Sequence, residues 1–251
     1  MPTLERWNGW LESFLAATPE LLASRVLKRR TDSKFAMAPA RAAELLFELS
    51  GDYALLSAGS ARVASYRTLY FDTPRLEFFH AHRRGRRVRH KVRVRHYPDR
   101  LVSALEVKSR RTELETFKQW RGRAYGESEL SEEDRAFVRL HTGSEQPVAP
   151  EVWTEFRRIT LLGLRSHERV TLDFDLAIEG RHGRRELEDV VVVEVKQWPF
   201  CRSTPAMSAL RAGGSRPRRL SKYCIAIAIA HPEVRLDVRL PDLRVARRGA
   251  A

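Results

Sequence analysis

Cysteine is nearly absent. The 251-residue chain has two, Cys201 and Cys224, without the paired spacing of a zinc finger or a disulfide framework. Long apolar runs are also missing: the most apolar stretch, Cys224 to Ala230, is too short to cross a bilayer. The N-terminus carries Glu5 and Glu12 where a signal peptide needs a basic start and an unbroken apolar core. These absences lead to the expectation of a soluble chain in a reducing, cytoplasmic compartment. Glycine-rich repeats are lacking too, and lysine is scarce: the basic residues are 39 arginines against seven lysines, Lys28, Lys34, Lys91, Lys108, Lys118, Lys196 and Lys222. Carboxylates are too few to balance them, and the formal net charge of +14 draws anions of several kinds, from nucleic acid and acidic membrane to phosphate-rich small molecules. The length suits one sizeable core.

Thr3 to Leu27 reads as an amphipathic helical lead-in that packs or docks, interrupted at Thr18-Pro19. A strand from Lys28 to Met37, a helix after Pro39 and a strand from Tyr66 to Thr73 follow. In Val88 to Tyr97, Arg89, Lys91, Arg93 and Arg95 share one strand face and Val88, Val92 and Val94 the other. Strands are expected at Leu101–Lys108, Trp153–Leu162, Arg169–Leu176 and Asp189–Lys196, with a capped helix near Ser131 and another over Ser221–Ala230. A last alternating run spans Val234 to Leu240, and the basic stretches Arg211–Arg219 and Arg244–Arg248 read as solvated loops.

Two segments echo each other, Leu105-Glu106-Val107-Lys108 and Val193-Glu194-Val195-Lys196, each placing a carboxylate and an ammonium on one strand face. Asp32 with Lys34 repeats the pattern, and Arg169, Thr171, Asp173 and Asp175 alternate with Val170, Leu172, Phe174 and Leu176. A single such strand would simply turn its charges to water. Five or more of them, with helices offering apolar surface to the other side, point to an α+β fold: a closed antiparallel β-barrel of about eight strands, charged inside, with helices packed outside. Buried unpaired charge costs several kcal/mol, so that interior has to hold water, ions or ligand. A polyanion with a divalent metal satisfies it, because Lys and Arg neutralise phosphate oxygens and carboxylates give Mg²⁺ or Mn²⁺ hard oxygen ligands. Asp72, in an Asp-Thr-Pro turn signal, reads as a turn or strand-end carboxylate and not a catalyst, and His80, His82, His90 and His96 as solvated or on the strand exterior.

Six segments in order, Arg30-Thr-Asp-Ser-Lys34-Phe, Leu69-Tyr-Phe-Asp-Thr73, Lys91-Val-Arg-Val-Arg95-His-Tyr, Leu105-Glu-Val-Lys108, Val193-Glu-Val-Lys196 and Leu220-Ser-Lys-Tyr223, resemble the triphosphate tunnel metalloenzymes (CYTH-like), and within them the VTC-domain polyphosphate polymerases. The resemblance covers roughly Arg30 to Ala230 and implies a tunnel domain over 28–242, between the lead-in at 1–27 and a basic tail at 243–251. It implies that Lys34, Arg93, Arg95, Lys108, Arg158 and Lys222 act on the phosphates, with Lys91, Lys118, Arg169, Lys196 and Ser221 lining the path. Glu194 would hold a Mn²⁺ or Mg²⁺ ion, with Glu106 as a second candidate. Two positions depart from the pattern: Asp32 stands where the wider family usually has glutamate, and Phe156 where a tyrosine is expected.

The activity implied is metal-dependent transfer of the ATP γ-phosphoryl group to a growing polyphosphate chain, with no covalent enzyme intermediate. Hydrolysis of inorganic or nucleoside triphosphate in the same tunnel is one alternative, and noncatalytic binding of polyphosphate or nucleic acid is another. The expected partners are ATP and inorganic polyphosphate, with a possible membrane-protein partner; nucleic acid is not expected.

Overall fold

The computed structural model describes residues 4–27, 29–59, 61–110 and 116–234. Lys28, the last alternating run from residue 235 onward and the basic tail lie outside the described residues. In chain order the elements are α1 (Leu4–Leu11), β1 (Leu15–Ala16), α2 (Pro19–Ser24), β2 (Thr31–Met37), α3 (Pro39–Leu49), β3 (Tyr53–Leu55), β4 (Ala64–Asp72), α4 (Glu77–Arg83), β5 (Arg89–Tyr97), β6 (Val102–Arg110), β7 (Thr116–Arg123), α5 (Glu132–Thr142), β8 (Ala149–Gly163), β9 (Glu168–Gly180), β10 (Gly183–Leu187), β11 (Val191–Gln197), α6 (Pro205–Ala212) and α7 (Lys222–Ala230).

Eight strands form one antiparallel path in the order β2-β11-β9-β8-β4-β5-β6-β7, with β3 and β10 added at β8 and β9. The expected closure into a barrel is not completed by strand pairing, since β2 and β7 share no ladder among the described residues. Part of the β2 edge is taken instead by the segment before α7, where the Arg218 N–H donates to the Lys34 carbonyl at 2.7 Å. The sheet is nonetheless strongly curled: Lys108, on β6, is within electrostatic range of Asp32 and Lys34, on β2. The result is a trough with its charged face inward.

The apolar face is covered in two parts. Around β2, β11, β9 and the second half of β8, the helices α1, α3 and α6 bury Trp7, Leu11, Ala42, Leu45, Leu46, Leu49, Ala206 and Leu210 against Val170, Leu172, Val193 and Val195. In α3 the buried positions recur three and four residues apart after Pro39 at the first turn, the pattern that turns one helical stripe to a core. Around β4, β5 and β6, the helices α4, α5 and α7 cover Leu69, Val92, Val94, Leu105 and Val107. Ser131 and Asp134 close a capping box at the start of α5. The α7 sequence KYCIAIAIA is apolar all round, and accordingly the helix is buried on several sides at one end of the trough. Gly180 admits it, because a Cβ there would lie 2.6 Å from the Ala230 Cβ.

At one point the expected alternation fails. The β8–β9 ladder shifts register between Glu155 and Arg157, where one β8 residue, Phe156, stands against two on β9, Asp175 and Leu176; this is a bulge on β9, and the φ of 48° at Asp175 is left-handed. Asp175 therefore leaves the face shared by Arg169, Thr171 and Asp173 and pairs with Arg157 at 3.3 Å. The bulge separates the two apolar clusters, with Phe174 in one and Leu176 in the other.

The N-terminal helix is part of the core. Trp7 is fully buried and stacks on Phe174 at 4.4 Å. Trp7→Ala should destabilise the fold by about 3–5 kcal/mol, measured by urea denaturation; a loss below about 1 kcal/mol would mean that α1 packs elsewhere.

Candidate active site

Strand pairing sets the charged face. Across the β2–β11–β9 ladders, Asp32 stands opposite Lys196 and Arg169, and Lys34 opposite Glu194 and Thr171. Across β5–β6–β7, Arg93 faces Glu106 and Trp120, and Lys91 faces Lys108 and Lys118. Paired residues share a face, so these side chains and those of Arg95 and Arg158 line one trough, and α7 brings Ser221 and Lys222 to its end.

Each carboxylate there is clamped by cations. Glu106, 2% exposed, accepts from Arg93 at 2.5 Å and from Lys118 at 2.6 Å, and the Tyr97 hydroxyl donates to it at 3.2 Å. Burial favours the neutral acid, but Arg93, Arg95 and Lys118 outweigh it and hold Glu106 well below the usual carboxylate range. Asp173 receives a two-pronged grip from Arg158, 2.5 and 2.8 Å, together with the Lys222 ammonium, and is depressed in the same way against its burial. Arg158 is thus the inward arginine, and Arg157 is the half-exposed one. Glu194 accepts from Lys196 at 2.6 Å, with the Lys34 Nζ at a looser 3.5 Å. Asp32 pairs with Arg30 at 3.0 Å.

The remaining cations have no such partner. Among the described residues, Lys91, Arg95, Lys108 and Arg169 make no ion pair with a carboxylate. Lys91 donates to the Ser221 hydroxyl at 3.0 Å. Arg95 donates to Thr68 at 3.1 Å and lies over the stacked rings of Tyr66 and Phe156, 5.0 Å apart. Arg169 reaches the Arg25 carbonyl at 3.3 Å, and its Nε is buried without a hydrogen-bond partner. Burial pushes Lys91 and Lys108 down to about 8, aided for both by neighbouring cations, and it lowers Arg95 and Arg169 as well.

Ser221 accepts from the Cys224 N–H as the α7 cap and from Lys91, leaving its proton free to donate. Asp72 ends β4 and takes no part in the trough. Its buried carboxylate accepts from the N–H groups of Thr73, Phe78 and Phe79 at 2.8–3.0 Å and from the Tyr223 hydroxyl, tying α4 and α7 to the sheet. His96 is on the strand exterior as expected, yet it is buried rather than solvated, bonded to Ser103 at 2.6 Å and stacked on Trp153. Phe156 replaces the expected tyrosine and keeps the aromatic packing.

Among the described residues no three His, Cys, Asp or Glu side chains gather to cage a metal. Mg²⁺ and Mn²⁺ do not require a cage, since one carboxylate with water and substrate phosphates suffices. Glu194 fits that role through its loosely held oxygen, whereas both Glu106 oxygens are engaged by closer cations.

The VTC domain family matches residues 29–231. The chain belongs to that family. No curated protein matches it. Among solved structures, a Hippeastrum protein assigned as an adenylyl cyclase, and described as having a dominant triphosphatase activity, aligns at 15% identity with a TM-score of 0.47, over 79% of this chain and 94% of that one. A Bacillus halodurans protein assigned as an adenylate cyclase aligns at 11% identity and TM-score 0.46, over 76% of this chain and 92% of that one. A conserved hypothetical protein from Pyrococcus furiosus gives 16% and 0.39, over 75% and 96%. The assignment rests on the family match, which spans every strand of the VTC trough. Among the described residues, no helix is long and apolar enough to cross a membrane.

The lysine shifts predict a pH effect. Lys91 and Lys108 release protons near pH 8 when folded and near 10.5 when unfolded, so the unfolded chain holds more protons between those values. The cost of burying them charged is present below pH 8 and is relieved as the pH rises. The urea midpoint of the ligand-free protein should therefore rise between pH 7.5 and 9.5. Inorganic triphosphate, which favours the charged lysines, should bind less tightly over the same interval. A midpoint that falls across it would contradict these assignments.

Proposed function

We propose that this VTC domain is a metal-dependent polyphosphate polymerase, transferring the γ-phosphoryl group of ATP to a growing inorganic polyphosphate chain. The observation that carries the reading is the set of cations without carboxylates, the buried Arg95 and the half-buried Lys91, Lys108 and Arg169, on the same face as Arg93 and Arg158. A polyanion supplies the counter-charge they lack. In this reading the trough works as a tunnel, its open seam between β2 and β7 closed around the chain.

Lys34, Arg93, Arg95, Lys108, Arg158 and Lys222 would grip the reacting phosphates, while Lys91, Lys118, Arg169, Lys196 and Ser221 line the path on either side. Glu106 and Asp173 hold Arg93 and Arg158 in fixed orientations, so their donors are aimed before substrate arrives. Such preorganised charge stabilises the spread negative charge of phosphoryl transfer. A Mn²⁺ or Mg²⁺ ion held by Glu194 would supply further neutralisation of the phosphate oxygens. Hydrolysis by the same groups would give a triphosphatase. The expected cytoplasmic setting and membrane-protein partner belong to the polymerase proposal.

Incubation of the full chain with ATP and Mn²⁺, followed by gel and phosphorus NMR, distinguishes the outcomes. Polyphosphate supports the polymerase; orthophosphate alone supports the triphosphatase. Glu194→Gln should lower turnover by at least about 100-fold and leave polyphosphate binding within about twofold, because the amide removes no cationic contact. Retained turnover would exclude Glu194 as the metal ligand.

A further inference from the structure

Four of the five tryptophans have partners. Trp7 stacks on Phe174 and meets Trp10 edge-on, Trp153 lies between His96 and Arg67, and Trp198 lies beneath Arg29. Trp120 is 65% exposed and has no ring, cation or hydrogen-bond partner among the described residues. Its position is not a random patch of surface. On the β6–β7 ladder Trp120 is paired with Glu106, Lys118 with Lys108, and Gly122 with Ala104, which puts the indole on the charged face at the open seam of the trough.

The ground around it is asymmetric. On one side, two residues or about 7 Å along the strand, stands Lys118, whose Nζ is 2.6 Å from Glu106 and beside the Lys91–Lys108 pair. On the other side Gly122 and Ala104 leave the floor bare, and a Cβ built on Gly122 would meet nothing within 4 Å. A flat apolar platform with clear space beside it and phosphate-binding cations one step away matches a nucleoside phosphate. An inorganic chain has no group to place on an indole.

We propose that Trp120 is the base platform of the site: the nucleobase of the donor nucleotide stacks on the indole at the seam, and its phosphates run past Lys118 toward Lys108 and Arg93. This rests on the reading of the trough as a phosphate channel and adds the means by which the channel tells a nucleotide from an inorganic chain. Stacking reads the π face and not the base edge, so the platform takes different bases with little discrimination.

The test is binding without turnover, with ATP and inorganic triphosphate each titrated in EDTA into wild type, Trp120→Ala and Trp120→Phe. Trp120→Ala should raise the Kd for ATP on the order of tenfold, within the range found for loss of one base–aromatic stack. The Kd for inorganic triphosphate should be unchanged, and Trp120→Phe should restore most of the ATP affinity. Equal weakening of both ligands, or no change for ATP, overturns the platform and leaves the channel standing. If wild type binds neither ligand, the channel fails and the platform with it.

Discussion

A lysine ammonium or arginine guanidinium drawn out of water without a carboxylate is costly, and the inner face of this sheet holds the buried Arg95 and the half-buried Lys91, Lys108 and Arg169 with no carboxylate ion pair among the described residues. Other cations on the face are matched: Arg93 and Lys118 to Glu106, Arg158 and Lys222 to Asp173, Lys196 and Lys34 to Glu194. The pairing does two things at once. It fixes the orientation of Arg93 and Arg158, which the proposal assigns to the reacting phosphates, and it leaves a remainder of positive charge that protein groups do not neutralise.

The surroundings keep that face assembled. Two apolar clusters on the outside hold the strands in register, and the bulge at Asp175 lets β8 and β9 serve both. Asp72 binds α4 through the Phe78 and Phe79 N–H groups and α7 through the Tyr223 hydroxyl, so the helix that carries Lys222 is anchored to the sheet next to the trough. A second buried carboxylate, Glu168, gathers Tyr53, Ser166 and Gln197 and ties β3, β9 and β11 together away from the trough. Neither carboxylate touches the cationic path.

Period-two alternation made much of this legible. Arg89 to Arg95, Glu106 with Lys108 and Glu194 with Lys196 declare a charged strand face directly, and Arg158 follows from its alternation with Phe156 and Thr160. The left-handed turn at Asp175 was not legible, because a bulge changes register without changing composition. Nor was β7: Phe117 to Gly122 mixes polar and aromatic residues on both faces, and only the spacing of Lys118 and Trp120 hints at a shared face. Tyr66 and Tyr70 lie in a run apolar on both sides, which gives a strand but not its inner face. Closure of the sheet depends on which edges meet, and the segment at Arg218 that occupies part of the β2 edge reads in sequence as a solvated basic loop.

The central claim is that oriented charge in the trough, and not the overall basicity of the chain, accounts for what the VTC domain does with polyanions. Measuring ATP turnover and polyphosphate binding for Lys108→Ala and for the triple variant Arg216→Ala, Arg218→Ala, Arg219→Ala, each at two salt concentrations, tests it most directly. The account predicts that the single trough variant loses turnover on the order of tenfold or more, a loss of ~1.4 kcal/mol of transition-state stabilisation, while the triple variant changes little. If the triple variant loses as much as Lys108→Ala, and its binding falls steeply with salt in the manner of a generic polyanion binder, the account is wrong.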